Sequence, residues 1–269
     1  MNDYTTVSSI TAPENIIRQM ATTIVVGDFE YLWDRELHQR YLKREGSSAT
    51  KEIRWPFKRV VAGSWVVVRF PGCMEKPVVE PFQSMSNPEH DETEIVRAFF
   101  DVLKRETISP ERMATWVSWG SEAVDSFALH RVAQHQDIRL PLQLCDLGPN
   151  PVGRIDLCEE FYNGKIGVHL DEYAINQDLP GKPVPGKQVA KLAEAGDWKA
   201  VEEQCLVDVL TTAVIAARHL ASISAVGQTG SASTDTIVER FCQGREGPVA
   251  DEIAQWQMKY RCDLAMGKG

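Results

Sequence analysis

Paired cysteines are missing from this 269-residue chain. Its six cysteines (Cys73, Cys145, Cys158, Cys205, Cys242 and Cys262) are scattered without any CxxC spacing. That argues against a thiolate zinc site and against a small disulfide framework. The six histidines show neither HExxH nor another paired metal spacing, so any bound metal is expected to sit on oxygen ligands. A basic start followed by an apolar block is absent, which predicts no secretory signal. No run approaches the ~18 apolar residues of a membrane helix. The expectation is a soluble, cytoplasmic protein that meets no membrane. Positive charge is also scarce, with 29 Lys and Arg against 38 Asp and Glu and a formal net charge of −9. Such a balance disfavours wrapping a long duplex by charge neutralisation. It leaves room for an enzyme whose small cleft offsets local acidity with metal ions.

What is present is an ordinary globular composition, 43% hydrophobic and 25% charged, enough for a sizeable core. The stretch "ATTIVVGDFEYLWDRE" reads as a buried strand that ends in two acids, Asp28 and Glu30. "RWPFKRVVAGSWVVVRF" supplies a second buried strand interrupted by Gly63, and "EKPVVEPF" a short edge partner. In "HDETEIVRAFFDVLKRE", Asp91 and Glu94 have capping-box spacing, and Ile95, Phe99 and Leu103 follow at helical intervals. "MATWVSWG" predicts another strand, with Ser121 as cap of the helix carrying Val124, Ala128, Leu129 and Val132. "PGKQVAKLAEAG" reads as a helix ending at Gly196, after which Asp197 caps a long apolar helix. Residues 227–234, "GQTGSAST", read as a loop or linker, and the last 35 residues as helical, with Ile253, Trp256 and Tyr260 as a docking face. This order of elements predicts an α/β domain with a mixed sheet. The expected division is residues 1–226 as the domain and 227–269 as a linker and helical extension packed on it. No internal repeat is visible.

Side chains two apart on a strand share a face, so Asp28 and Glu30 stand side by side and repel each other. Two readings are open, a solvated strand end or a pair neutralised by a metal ion. Asp208 lies in "CLVDVLTTAVIAARHL", on one helical face with Val201, Cys205, Thr212 and Ile215. A buried carboxylate there needs protonation, an arginine or a metal, and Arg218 is the candidate ion-pair partner. Asp125 falls in the first turns of a helix, where an acid is favourable without any function. Two hard divalent cations ~3.5–4 Å apart would give all four acids one explanation.

Five segments, "VVGDFE", "AVDSFALHR", "RIDLCEEF", "HLDEYA" and "LPGKPVPGKQVAKLAEAGDWKAVEEQCLVDVLTTAVI", occur in order over roughly residues 20 to 220. In them the chain resembles the DEDD superfamily of 3′–5′ exonucleases, more narrowly the stand-alone group related to the proofreading exonuclease domain of family-B DNA polymerases. The resemblance implies a ribonuclease H-like mixed sheet flanked by helices. It also implies that Asp28, Glu30, Asp125 and Asp208 bind two Mg²⁺ or Mn²⁺ ions at the 3′ end of a single strand, DNA foremost. Two departures stand out. Gln204 occupies the place, four residues before the last Asp, where relatives carry a tyrosine or histidine beside the attacking water. An amide hydrogen-bonds a water but does not take its proton. Trp119-Gly120-Ser121 replaces the usual Asn-Gly before the second-motif Asp. A second reading is therefore an exonuclease-fold module that binds nucleic-acid ends or a protein partner without turnover.

By the same resemblance Tyr31 and Trp33 lie where relatives hold the terminal nucleotide, with packing as the competing role and Tyr31 the better candidate for substrate contact. Lys182, in "LPGKP", is a candidate phosphate contact. Asp156 is read as structural, His169 as a helix cap or core histidine, and Lys58 and Arg59 as surface charges. The C-terminal helix is a candidate surface for homo-oligomer formation.

Overall fold

The computed structural model describes residues 22–72, 75–146, 153–161, 167–181 and 188–267. Two long strands lie at the heart of the sheet. β1 (Thr22–Trp33) pairs antiparallel with β2 (Lys58–Phe70), setting Ile24 opposite Val68 and Asp28 opposite Ser64. β3 (Val78–Val79) and β4 (Gln83–Ser86) pair antiparallel with the far side of β2. β5 (Thr115–Ser118) lies parallel to β1, and β6 (Arg154–Asp156) parallel to β5. The order β3-β2-β1-β5-β6 is thus an antiparallel ribbon extended by two parallel strands. This is the mixed sheet flanked by helices that the sequence led us to expect.

Both faces are covered, which is why the central strands read as largely apolar, valine-rich runs. On one face α2 (Glu92–Glu106) and α3 (Asp125–His135) pack over Val25, Phe29, Val67 and Trp116. On the other, α7 (Trp198–Ser222) and α8 (Gly230–Cys242) cover Ile24, Val26, Val66 and Val68. Gly63 explains its own presence inside β2. A Cβ there would meet the Phe29 ring at 2.8 Å and Ile95 at 2.9 Å, so glycine lets the ring lie against the sheet.

The remaining helices are short or peripheral. α1 (Arg35–Glu45) is capped by Asp34, which accepts from Leu37 N at 2.7 Å. α4 (Leu157–Glu160), α5 (Leu170–Asn176) and α6 (Val189–Glu194) lead to α7, and α9 (Pro248–Ala265) follows α8. The capping box at Asp91 and Glu94 and the Asp197 cap of α7 form as expected.

Several expectations change. Residues 227–234 are not a linker: Thr229 caps α8, which begins at Gly230 and sends Ile237, Val238 and Phe241 into the core. Ser121 caps no helix. It sits in a short 3-10 turn (Ser121–Ala123) with its hydroxyl on Ser118, and α3 begins at Asp125. The C-terminal docking face is used within the chain, since Ile253 is buried, Trp256 donates to the Asp178 carbonyl at 2.7 Å and Tyr260 stacks on Trp256. α7, with its acid and amide counted in, is long and apolar enough to cross a membrane, yet 78% of that stretch is buried in the fold. It is a core helix.

Candidate active site

Strand parity carries Asp28 to the same face as Ile24 and Val26, the face covered by α7. There α7 presents Asp208, 4% exposed, on its buried side together with Val201, Cys205, Thr212 and Ile215. One carboxylate oxygen from each of Asp28, Glu30 and Asp208 lies within 4.8 Å of the other two. Three acids from two elements distant in sequence thus share one small volume. Like charges at this spacing repel strongly, and oxygen donors in this number suit a hard divalent cation. The donor set therefore fits the ions that the resemblance implies. Arg218 is not the counter-ion of Asp208, because its guanidinium donates to the Gln177 carbonyl at 3.0 Å and to Thr234 Oγ1 at 3.2 Å.

The floor of the cluster is polar. Cys205 directs its thiol to the Asp28 carbonyl at 3.3 Å and to Asp28 Oδ2 at 3.5 Å. Burial, then the negative charges of Asp28 and Glu30, push the thiol well above its usual range, so it stays protonated and donates. Ser64, across the ladder from Asp28, bonds Ser84 at 2.9 Å. Gln204, fully buried one turn before Asp208, donates Nε2 to Asp208 Oδ2 at 3.4 Å. A cleft of about 380 Å³ opens from Asp28 and Asp208 towards Trp119, Gly120, Cys158, Val168 and His169. His169 caps α5, its backbone N–H donating to Glu172 at 2.9 Å, and so the cap reading holds while the residue also lines the cleft.

Asp125 stands apart from the three-acid set. The ladder slips between Glu30 and Tyr31, and Tyr31 packs on the α2–α3 face. Its hydroxyl donates to Asp125 Oδ1 at 2.7 Å. The Tyr31 hydroxyl thus holds Asp125. Burial pushes the Asp125 carboxyl up to about 7, opposed by the Tyr31 hydrogen bond and by Lys58. Burial and Asp125 in turn raise the Tyr31 phenol well above its usual range. Lys58 is no plain surface charge: its ammonium lies 5.0 Å from the Tyr31 ring centre and 5.3 Å from that of Trp33. Burial pushes its pKa down, while Asp125 and Glu30 pull it back up.

The loop that presents Asp125 is pinned from β6. Asp156 accepts from the backbone N–H groups of Gly120 at 2.7 Å, Glu122 at 2.9 Å and Cys158 at 3.0 Å. Arg154 adds a forked bond to Glu122 at 2.8 and 3.2 Å. The structural reading of Asp156 holds. Lys182 lies outside the described residues. From the sequence, Lys58 and Cys205 had no part in the site and Ser64 was not singled out. Only the β1–β2 register, which sets Trp33 opposite Lys58 and Asp28 opposite Ser64, brings the lysine and serine to the site.

A family model described as a predicted 3′–5′ exonuclease related to the exonuclease domain of PolB matches residues 51–256. The chain belongs to this family. The matched range includes Asp125, Gln204 and Asp208 and begins after Asp28 and Glu30, so the latter pair is tied to the site by the geometry above. No curated protein matches the chain. Among solved structures, the family B DNA polymerase from the hyperthermophilic archaeon Pyrobaculum calidifontis is similar at 15% identity and a TM-score of 0.46. That similarity covers 82% of this chain and 28% of the polymerase. This exonuclease-family chain therefore spans little more than a quarter of the polymerase it matches.

Proposed function

We propose that the protein is a metal-dependent 3′–5′ exonuclease that hydrolyses the terminal phosphodiester bond of single-stranded nucleic acid, DNA foremost. The observation that carries this reading is the convergence of Asp28, Glu30 and Asp208 within 4.8 Å. These three would hold Mg²⁺ or Mn²⁺, and Asp125, kept near on Tyr31, is the remaining acid for a second ion. Bound there, such ions supply charge neutralisation for the phosphate and a lowered pKa for the attacking water. The chain's own part is to orient. Gln204 takes a hydrogen bond to the water and steers it, since its amide cannot accept the proton. Cys205, held protonated, fixes the rotamer of Asp28. The Asp156-pinned loop keeps Asp125 in place.

Incubation of a 3′-labelled oligonucleotide with Mn²⁺ should release mononucleotides, and Asp28→Ala should not. Degradation by the Asp28→Ala protein at the wild-type rate would reject the site.

Gln204 also favours a second reading, a module that binds ends without turnover, because the side chain at this position lacks a base. Under that reading the wild type binds metal and oligonucleotide at any concentration without cutting, and Gln204→Tyr creates activity.

A further inference from the structure

Two aromatic side chains, at the start of α3 and in the turn that leads into β2, have roughly a third of their surface in solvent. Trp55 is 37% exposed and Phe127 36%, and their rings meet at 5.4 Å between centres with a 33° tilt. Phe127 belongs to the first turn of α3, two residues after Asp125. Trp55 opens the short 3-10 turn (Trp55–Phe57) that runs directly into Lys58. The two elements are locked together by Arg131, which donates to the Lys58 carbonyl at 3.0 Å. Among the described residues Lys58 makes no ion pair within 4 Å. Its ammonium instead rests over Tyr31 and Trp33, drawn by the fields of Asp125 and Glu30. Arg54, next to Trp55, is exposed.

We propose that Trp55 and Phe127 form a stacking platform for a base just upstream of the 3′ end, with Lys58 taking the adjoining backbone phosphate. The proposal rests on the exonuclease reading of the acidic cluster. An aromatic pair stacks any base, whereas an ammonium beside it meets the one anionic group that every nucleotide repeats. That combination, continuous with the acids through Asp125 and Lys58, fits a single strand better than a protein partner. In a chain of net charge −9, a lysine that makes no ion pair within 4 Å among the described residues is where a polyanion gains most at this edge.

The test is fluorescence anisotropy with a labelled single-stranded oligonucleotide in EDTA, so that cleavage does not intervene. Trp55→Ala and Phe127→Ala should each weaken binding about tenfold, and Trp55→Phe should restore most of it. Lys58→Ala should weaken binding and lower the slope of log K against log salt by about 0.7. A strand with abasic sites near its 3′ end should lose about tenfold on the wild type and nothing further on Trp55→Ala. Thermal melting of each variant confirms folding, and Phe127→Ala, on a separate element, repeats the test should Trp55→Ala fail to fold. Wild-type affinity in both aromatic variants, in a protein that binds and cuts, overturns the platform alone. A wild type that neither binds nor cuts the strand overturns the platform and the exonuclease reading together. Capture of a protein through Trp55 with no loss of oligonucleotide affinity in its alanine variant also overturns the platform.

Discussion

The two faces of β1 handle negative charge in opposite ways. On the α7 face, Asp28, Glu30 and Asp208 gather within 4.8 Å. On the α2–α3 face, Asp125 shares its surroundings with a phenol that donates to it and an ammonium that attracts it. The first arrangement concentrates like charge, which a fold tolerates at a cost in stability when binding a cation is the return. The second compensates its acid with the chain's own groups. The contrast teaches that four acids of one motif set are not electrostatically equivalent, and under the proposed function the metal affinity would rest mainly on the three that converge.

The largest expected effect tests the first group. Asp208→Asn should cut nuclease activity by at least ~10²-fold and weaken Mn²⁺ binding in calorimetry, while raising the melting temperature of the metal-free protein. Loss of stability together with activity would show that the acids are a structural network, and the comparison would fail.

Asp125 should reveal itself through pH. Its folded pKa of about 7 lies above the usual carboxyl value of 3.8. The stability it contributes is full below pH 4 and lost as pH rises from about 4 through about 7. Asp125→Asn should abolish that slope in EDTA, gaining a few kcal/mol on the wild type at pH 8 relative to pH 4. Urea midpoints at several pH values check this, and parallel curves for the two proteins would contradict the burial of Asp125.

Tyr31→Phe removes the donor to Asp125 and should cost about 1.5–2 kcal/mol near pH 8, where the carboxylate form prevails, and less near pH 5. A cost independent of pH would assign the Tyr31 hydroxyl to packing instead. Smallest of all, Cys205→Ala should change stability by less than about 1 kcal/mol, because the thiol that Asp28 loses is only a weak donor. It should still lower metal affinity slightly by freeing the Asp28 rotamer. A large stability loss would place Cys205 among the core residues of α7 rather than under the acids.

Much of this contrast was visible before any pairing was known, though not all. The pair Asp28–Glu30 was legible because period two on a strand is a local rule. The buried face of Asp208 was legible because its neighbours at helical offsets are apolar. The Tyr31–Asp125 bond was not: alternation puts Tyr31 on the face of Val25 and Phe29, but only the packing of α3 against that face brings Asp125 to its hydroxyl. Nor was the setting of Lys58, which reads as an ordinary charge at a strand end until Trp33 is placed opposite it. The loop-like composition of 227–234 concealed α8, whose helix is held by burial of Ile237, Val238 and Phe241 rather than by propensity.

By itself, the sequence determined the two long strands, helices α2 and α7 with their Asp91 and Asp197 caps, and which acids are forced towards apolar surroundings. Those properties depend on neighbours within a turn or two of chain. Tertiary structure alone decided that Asp208 meets Asp28 and Glu30, that Arg218 goes elsewhere, and that Asp125 is held by Tyr31 beside Lys58. Each of these depends on strand register and on where α7 crosses the sheet, set by packing between segments far apart in the chain.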